Sequence, residues 1–451
     1  PRKHSGSNGH RPSSSNGYNS HSRWTRHRGP VRLAAPEIAH VLADSAPRVL
    51  VYAAALRDVV ETACTGATAT PCLFGLDGDG EHSNLLTAGD ELAAVTRDRS
   101  VESDDAFITY TSGTTGRPKG VLIDHHRAVW AAMAQIVSLG LRDGDRYLHL
   151  PPLYHAGGAV FLNATTLLGG TNVLVDRFEP DAVLDAIDQF GVTALLAVPT
   201  MYRFMLRHNE LAQRDLSTWR IGVFGAAPMP ERTVEALLDA FPSVEFFQQC
   251  GQTEAGPSGI YSTMAQVRSQ PDSSGHLAQP FITARVIDDL GRDVETGAVG
   301  ELILAGEPIM KGYWGRPAET REALISGWLY TGDLVEVMDD GGMRVVDRRK
   351  DVILSGGRNI YSAEVEQALA GHPAVADCAV VGVPHPDWGE TVVAVVDPVD
   401  GARPTLEELR DHCAGLIADY KLPRRLVLGP VPRNAAGKIP KHTVRAMLTE
   451  P

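Results

Sequence analysis

Over roughly the first two thirds of the chain, apolar positions alternate between two periods. Short apolar runs such as ALLAV (Ala194–Val198) and IGVF (Ile221–Phe224) predict buried strands. Between such runs, DAVLDAIDQF (Asp181–Phe190) and ERTVEALLDAF (Glu231–Phe241) carry apolar residues at helical spacing, each with an acidic residue in its first turn. Strands that alternate with helices predict largely parallel sheets covered by helices.

After about Ser273 the pattern changes to short strands and glycine-rich turns, and helical spacing returns in Glu364–Ala370 and Leu406–Ala418. The apolar run Asp377–Val383 predicts a buried strand, and the four consecutive charges of DRRK (347–350) suit a hinge better than a core. We therefore expect an α/β fold. Residues 31–347 would form a large N-terminal domain of helix-covered, largely parallel sheets plus a β-rich subdomain, and residues 348–451 a small α+β C-terminal domain.

The first thirty residues are rich in Ser, Gly, His and Arg and hold few apolar side chains. Such a segment cannot offset its ordering entropy, so we expect residues 1–30 to form a disordered basic tail. It has no apolar core of a signal peptide, and no apolar run in the chain has the length of a membrane span. The five cysteines lack a CxxC pair, which favours a reducing compartment and predicts the cytoplasm.

Composition indicates a soluble globular protein with a large buried core, because 43% of residues are hydrophobic and 22% are charged. No acidic residue precedes Glu37, so the acidic residues behind the net charge of −13 all lie in the rest of the chain. An acidic body argues against a nucleic-acid-binding surface, although a single nucleotide could still bind to a local loop. The sequence leaves a homodimer open.

The stretch TSGTTGRPKG (Thr111–Gly120) is the first candidate for chemistry. Glycines allow close approach of the backbone to a ligand, successive N–H groups and hydroxyls can surround an anion, and Lys119 adds a charge suited to phosphate. The spacing does not match a Walker A loop. By itself the stretch fits a phosphate-binding loop and a mobile Gly/Pro turn equally well.

Further motifs follow this stretch in a characteristic order: PPLYHAGG, GAAPMP, CGQTEAG, GELILAG, YTGDL, DRRKD and PRNAAGKIPK. With them, the chain from Val31 onward resembles the adenylate-forming (AMP-binding) superfamily, which includes acyl-CoA synthetases, the adenylation domains of peptide synthetases, and luciferases. The resemblance is greatest to fatty-acid and aryl-acid CoA ligases. It implies that a carboxylate attacks the α-phosphate of ATP to give an acyl-adenylate and pyrophosphate. A thiol, usually that of coenzyme A, then attacks the adenylate after the small domain has rotated about a hinge.

The resemblance also implies roles for single residues in the first step. Glu254 would bind Mg²⁺, which takes oxygen ligands and few carboxylates, and Thr253 would donate to the α-phosphate. Lys438 would bridge the carboxylate and α-phosphate oxygens, where a fixed positive charge offsets charge that develops in the transition state. The phosphate loop would hold the β- and γ-phosphates through Thr111, Ser112, Gly113, Thr114, Thr115, Gly116 and Lys119.

Other matched positions would hold the nucleoside and the thiol arm. Asp333 would accept from the ribose hydroxyls, Arg348 would make a second ribose contact, and Lys350 would be the hinge. The backbone of Gly225, Ala226 and Ala227 resembles the ledge beneath adenine. The loop expected to line the pantetheine tunnel contains Ser355, Gly356, Gly357 and Asn359.

The motif PPLYHAGG indicates which class of carboxylic acid is the substrate. Amino-acid-activating relatives carry an aspartate there that pairs with the substrate ammonium, whereas this chain has Tyr154 and His155. An unpaired buried ammonium is costly, so we expect a fatty, aryl or alicyclic acid. His155 would line the pocket near the reacting carboxylate, although a single histidine could equally be a hydrogen-bonded core residue. Gly157–Leu162 and Phe224 suggest an apolar pocket wall.

Two features depart from the family pattern. The segment that normally precedes the part resembling Val31 onward is absent, which predicts an exposed apolar face and makes catalytic activity less secure. Cys250 stands where the family has an adenine-stacking tyrosine, which predicts either weaker ATP affinity or adenine held by another side chain. Two alternatives to a CoA ligase remain: an acyl-AMP ligase that loads a carrier protein, and an inactive shortened relative that acts as an ATP-binding or interaction module.

Overall fold

The computed structural model describes residues 33–65, 70–76, 83–84, 100–111, 118–175, 177–208, 211–227, 229–433 and 439–449. The strands are β1 (Val49–Tyr52), β2 (Cys72–Gly75), β3 (Ser83–Asn84), β4 (Asp105–Thr111), β5 (Lys119–Asp124), β6 (Arg146–His149), β7 (Thr171–Leu174), β8 (Ala194–Ala197), β9 (Ile221–Gly225), β10 (Glu245–Gly251), β11 (Gly259–Ser262), β12 (Leu277–Ala278), β13 (Ile282–Ile287), β14 (Val299–Gly306), β15 (Gly312–Tyr313), β16 (Leu324–Ile325), β17 (Trp328–Val337), β18 (Met343–Arg348), β19 (Ile353–Ser355), β20 (Arg358–Ile360), β21 (Val375–His385), β22 (Gly389–Pro398) and β23 (Arg425–Leu428). The helices are α1 (Ala35–Ser45), α2 (Arg57–Cys64), α3 (His125–Leu139), α4 (Ala156–Leu167), α5 (Pro180–Phe190), α6 (Pro199–Leu206), α7 (Glu231–Ala240), α8 (Met264–Ser269), α9 (Pro317–Ala323), α10 (Ser362–Ala370), α11 (Leu406–Ala414) and α12 (Lys441–Thr449).

A seven-stranded sheet with the order β12-β11-β10-β9-β8-β6-β7 forms the centre of the large N-terminal domain. Its strands from β6 to β10 run parallel, and β11 and β12 continue it antiparallel. Helices cover both faces, because apolar residues of α5, α6 and α7 pack in one core cluster and those of α3 and α4 in another. The predicted parallel, helix-covered sheet is confirmed.

The β-rich part of this domain is antiparallel. One sheet has the order β13-β14-β17-β16 with β18 beside β17, and a smaller sheet has the order β15-β5-β4. A shared apolar cluster joins them, with Val121 from β5 and Leu302 from β14 both buried. A separate parallel sheet, β1-β2-β3, leaves Val49 and Val51 of β1 50% and 44% exposed.

The small C-terminal domain contains a sheet with the order β20-β19-β22-β21, to which β23 adds in parallel beside β22. Helices α10 and α11 pack on one face and α12 on the other, which confirms the predicted α+β class. The helix predicted over Leu406–Ala418 is shorter than expected, because it ends at Ala414 and is followed by Gly415, a poor helix former. None of the helices in the described part of the chain has the length and apolar character needed to cross a bilayer.

A buried carboxylate ties together the amino ends of three neighbouring strands in the central sheet. Asp145 is 5% exposed and directly precedes β6. It accepts hydrogen bonds from the Thr193 hydroxyl before β8 (2.9 Å) and from Arg220 Nη2 before β9 (2.5 Å). These bonds fix the starting positions of β6, β8 and β9, so the opposite, carboxyl ends of the strands are held in register as well.

We expect Asp145→Ala to lower the free energy of unfolding of the N-terminal domain by about 2 kcal/mol. This is less than the cost of breaking a fully buried pair, because Arg220 keeps some solvent access. Urea titration followed by circular dichroism would measure the change. The matched control is Asp293→Ala, which removes the exposed partner of Arg285 and should change stability by less than about 0.5 kcal/mol. Equal effects of the two substitutions would contradict this role of Asp145.

Candidate active site

The carboxyl ends of the central parallel strands meet at a change in strand order. The chain leaves β6 for β7 on one side, and then crosses to β8, β9 and β10 on the other side. In open α/β sheets, ligands bind in the crevice at such a switch point. The structure places His155, Gly225 and Thr253 at or just after the carboxyl ends of β6, β9 and β10. Three segments that are far apart in sequence therefore meet at one edge.

The backbone after β9 is shaped to lie open to a ligand. A Cβ placed on Gly225 would lie 2.2 Å from the Gln249 carbonyl oxygen, so only glycine fits beside β10. Ala226 then adopts a left-handed backbone with φ of 66°, which is uncommon for a residue with a side chain. Ala226 and Ala227 are both exposed. The adenine-binding role of this edge stays a prediction.

His155 occupies the turn between β6 and α4 and is half-buried beside Tyr154, with ring centroids 6.0 Å apart. Tyr154 is 61% exposed, so the two rings border an open surface. Phe224, in contrast, is fully buried in the core cluster beneath the sheet. The predicted wall is thus wrong for Phe224: this side chain packs in the core and is not accessible to a substrate.

The stems of the predicted phosphate loop are described, whereas Ser112, Gly113, Thr114, Thr115 and Gly116 lie outside the described residues. Thr111 at the end of β4 pairs with Lys119 at the start of β5, so the two stems are adjacent.

Helix α1 contacts both stems. The Tyr110 hydroxyl donates to Asp44 Oδ2 at 2.8 Å, and His40 Nε2 donates to the Pro118 carbonyl at 3.1 Å. Asp44 also pairs with Arg316 at 2.9 Å. No motif in the sequence marks Asp44 or His40, because both lie in a helix of ordinary composition.

Lys119, Tyr313 and Glu254 form a continuous set of contacts beside this loop. The Lys119 ammonium lies 5.2 Å from the centroid of the Tyr313 ring. The Tyr313 hydroxyl donates to Glu254 Oε1 at 3.0 Å. The described residues contain no group of three or more His, Cys, Asp or Glu side chains that could hold a metal. A single carboxylate such as Glu254 would bind Mg²⁺ together with phosphate oxygens of the nucleotide, which is the usual way that this ion is bound beside a nucleotide.

The structure brings together the two predicted ribose ligands. Asp333 on β17 and Arg348 on β18 are cross-strand partners, and Arg348 Nε lies 2.6 Å from Asp333 Oδ1. Asp333 is only 7% exposed, and its backbone N–H donates to the Thr331 hydroxyl at 3.0 Å. Its carboxylate is therefore held in a fixed position. Lys350 follows in a short 3-10 turn, Arg349–Asp351, and desolvation lowers the pKa of its amino group although part of the side chain reaches solvent.

The predicted pantetheine loop is the hairpin between β19 and β20. Gly356 and Gly357 have φ of 59° and 76°, which a two-residue hairpin turn requires. Ser355 is buried, Asn359 is exposed, and the Gly356 N–H donates to the Trp388 carbonyl at 2.8 Å.

Two arginines beside this hairpin lie over aromatic rings. The Arg424 guanidinium is 4.7 Å from the Trp388 ring centroid, and Arg358 is 4.7 Å from that of Tyr420. Trp388 is 43% exposed. We call these four side chains the cationic aromatic surface. Sequence reasoning missed it, because its members lie on three separate segments.

The predicted catalytic residue Lys438 lies outside the described residues. The described chain continues at Ile439, and Lys441 near the start of α12 contacts α10. Its ammonium contacts the Ser362 hydroxyl and lies 3.0 Å from Glu366 Oε1. Burial raises the pKa of Glu366, and Lys441 partly offsets this effect.

Comparisons with known proteins bear on the family of this chain. A family model described as "AMP-binding enzyme" matches residues 30–314, and one described as "AMP-binding enzyme C-terminal domain" matches residues 364–438. A feruloyl-CoA synthase of Amycolatopsis sp is 39% identical over 416 residues, which are 92% of this chain and 82% of the relative. The fatty acid–[acyl-carrier-protein] ligase ScoC of Streptomyces coeruleorubidus is 37% identical over 423 residues, 92% of this chain and 80% of the relative. The amide bond synthetase McbA from Marinactinospora thermotolerans has a TM-score of 0.83 at 31% identity, covering 93% of this chain and 84% of that chain.

Cys250 gives a direct test of nucleotide binding at this edge. It is half-buried near the end of β10, next to Gln249, the strand partner of Gly225. Cys250→Tyr should lower the dissociation constant for ATP about tenfold, because stacking of a base on an aromatic ring is worth about 1–3 kcal/mol. Isothermal titration calorimetry would measure it, with the exposed Cys72→Tyr as control. An unchanged dissociation constant for Cys250→Tyr would contradict adenine binding beside this strand.

Proposed function

The chain belongs to the AMP-binding enzymes, and on this basis we propose that it joins a non-amino carboxylic acid to coenzyme A at the expense of ATP. The observation that carries the proposal is the proximity of three features beside the switch point of the central sheet. These are the open backbone after Gly225, the carboxylate of Glu254, and Lys119 of β5, which Tyr313 connects to Glu254. Together they suit adenine, Mg²⁺ and phosphate.

In the proposed first step, a carboxylate oxygen of the acid attacks the α-phosphorus of ATP. The bond between the α-phosphorus and the bridging oxygen breaks, and pyrophosphate leaves. Lys119 and the loop of Ser112–Gly116 hold the leaving group, while Glu254 holds Mg²⁺, which offsets phosphate charge when bound. Thr253 donates to the α-phosphate, and Asp333 accepts from the ribose hydroxyls. Lys438 supplies positive charge where the two reactants meet.

In the proposed second step, the thiol sulfur of coenzyme A attacks the acyl carbonyl. AMP leaves, and the thiol proton passes to solvent. A change of sheet after Arg348 and the proposed hinge at Lys350 would allow this step to use the β19–β20 hairpin. Between β18, which belongs to the N-terminal sheet, and β19, which belongs to the C-terminal sheet, the described chain has only a short 3-10 turn. A short connection of this kind can absorb a rotation in a few backbone torsions.

Coenzyme A is favoured over a carrier protein as the acceptor by the cationic aromatic surface. Arg358 and Arg424 present guanidinium groups suited to the phosphates of coenzyme A, and Trp388, which is 43% exposed, adds an aromatic ring beside them. A carrier protein presents its pantetheine without that nucleotide. The similar proteins named above include one CoA synthase and one carrier-protein ligase, so the acceptor has to be tested directly.

The acid is proposed to be fatty, aryl or alicyclic. Tyr154 and His155 border the site where an amino-acid-activating enzyme carries an aspartate, and an ammonium would find no counter-ion in that motif. The similarity to a feruloyl-CoA synthase places hydroxycinnamic acids first in the panel to be tested.

We expect pyrophosphate release that requires ATP, Mg²⁺ and one class of acid, and that coenzyme A stimulates. Lys438→Ala should lower this release about 100- to 1,000-fold, the usual cost of removing one group that stabilises transition-state charge. Lys311→Ala, which removes an exposed lysine paired with Asp105, is the control and should retain activity. Release without stimulation by coenzyme A would favour the carrier-loading alternative. The absence of release with every acid, from folded protein, would support the inactive alternative.

A substitution in the β19–β20 hairpin should separate the two steps. Gly356→Val places a branched side chain at a φ of 59° and brings its Cβ to about 3.0 Å from the Trp388 ring. Acyl-CoA formation should fall about tenfold, while acid-dependent exchange of pyrophosphate into ATP should change less than twofold. Gly401→Val, at a strained but open turn of the same domain, controls for backbone strain. An equal decrease of acyl-CoA formation and of pyrophosphate exchange in Gly356→Val would contradict a role of the hairpin in the second step alone.

A further inference from the structure

Tyr313 belongs to a two-residue strand that is fixed from several directions. Its backbone pairs with Val121 of β5, the strand that begins at Lys119. Its N–H donates to the Thr320 hydroxyl of α9 at 2.9 Å. The position of the ring is therefore set by the same small sheet that carries both stems of the phosphate loop.

The side chain of Tyr313 makes two different contacts with groups of opposite charge. The face of the ring attracts the Lys119 ammonium at 5.2 Å through its negative quadrupole. The hydroxyl donates to Glu254 Oε1 at 3.0 Å.

Among the described residues, Lys119 and Glu254 form no ion pair with each other, although both contact the side chain of Tyr313. A direct pair would neutralise the two charges and occupy the groups proposed to bind phosphate and metal. The Tyr313 hydroxyl engages one oxygen of Glu254 and leaves the other oxygen available for a cation. The aromatic ring of Tyr313 meanwhile holds the Lys119 ammonium through a cation–π contact.

We propose that Tyr313 is a positioning residue that keeps Lys119 and Glu254 apart and correctly oriented, so that the pyrophosphate site and the Mg²⁺ site remain separate but adjacent. The proposal rests on the function proposed above. It assigns Tyr313 no contact with the reacting atoms. Its effect reaches the reaction through the lysine and the carboxylate.

The two contacts can be removed separately. Tyr313→Phe retains the ring under Lys119 and removes the hydrogen bond to Glu254. The concentration of Mg²⁺ that gives half-maximal pyrophosphate release should then rise about tenfold, in line with a hydrogen bond to a charged group. The KM for ATP at saturating Mg²⁺ should change less than twofold. Tyr313→Leu removes both contacts and should raise both quantities.

Binding without turnover provides a second measurement. Mn²⁺ replaces Mg²⁺ as the probe, and electron paramagnetic resonance in the presence of ATP reports its binding to the full-length protein. Tyr313→Phe should weaken Mn²⁺ binding about tenfold, and Tyr261→Phe, a tyrosine of β11 outside this set of contacts, should not. In a Glu254→Gln background, Tyr313→Phe should add less than a twofold further effect, because the hydroxyl acts through that carboxylate.

Thermal unfolding followed by circular dichroism would show that each variant is folded. If the wild type releases pyrophosphate but Tyr313→Phe leaves both the Mg²⁺ dependence and Mn²⁺ binding unchanged, the positioning role is overturned and the proposed function stands. If the wild type neither releases pyrophosphate nor binds ATP with Mn²⁺, both are overturned.

Discussion

The parallel pairing of β6, β8, β9 and β10 is the constraint on which the rest of the site depends. Because these strands run in the same direction, each connection returns to the same edge, and the change of order at β6 opens a crevice there. Asp145 fixes the opposite ends of three of the strands through hydrogen bonds to the segments that start them. The open backbone after Gly225 and the turn at Thr253 owe their relative positions to this register.

A second, smaller sheet adds the charged groups. The β15-β5-β4 sheet carries both stems of the phosphate loop, and α1 contacts those stems through Asp44 and His40. The same sheet presents Tyr313 to the carboxylate that follows β10. The groups proposed to bind pyrophosphate and metal are thus connected through hydrogen bonds and a cation–π contact between elements.

The junction of the two domains is also held by a buried carboxylate. Asp347 at the end of β18 accepts from the N–H and the hydroxyl of Ser362 at 2.5 and 2.7 Å. Ser362 in turn contacts Lys441 at the start of α12. The last strand of the N-terminal domain is therefore linked through Ser362 to the last helix of the chain. The hinge proposed at Lys350 lies close in sequence to these contacts.

The amino-acid sequence by itself determined the local elements and the family. The apolar periods predicted β8, β9, α5 and α7 to within a few residues, and ordered motifs marked the phosphate loop, Glu254 and Asp333. These features depend on neighbours along the chain, so a single sequence reveals them.

The tertiary structure decided which of these segments meet. Tyr313 lies 59 positions from Glu254, and Asp44 lies 66 positions from Tyr110. The cationic aromatic surface and the burial of Phe224 were likewise settled only by packing. No local pattern records such contacts, because they arise when distant elements pack together and their side chains come within hydrogen-bonding or van der Waals distance.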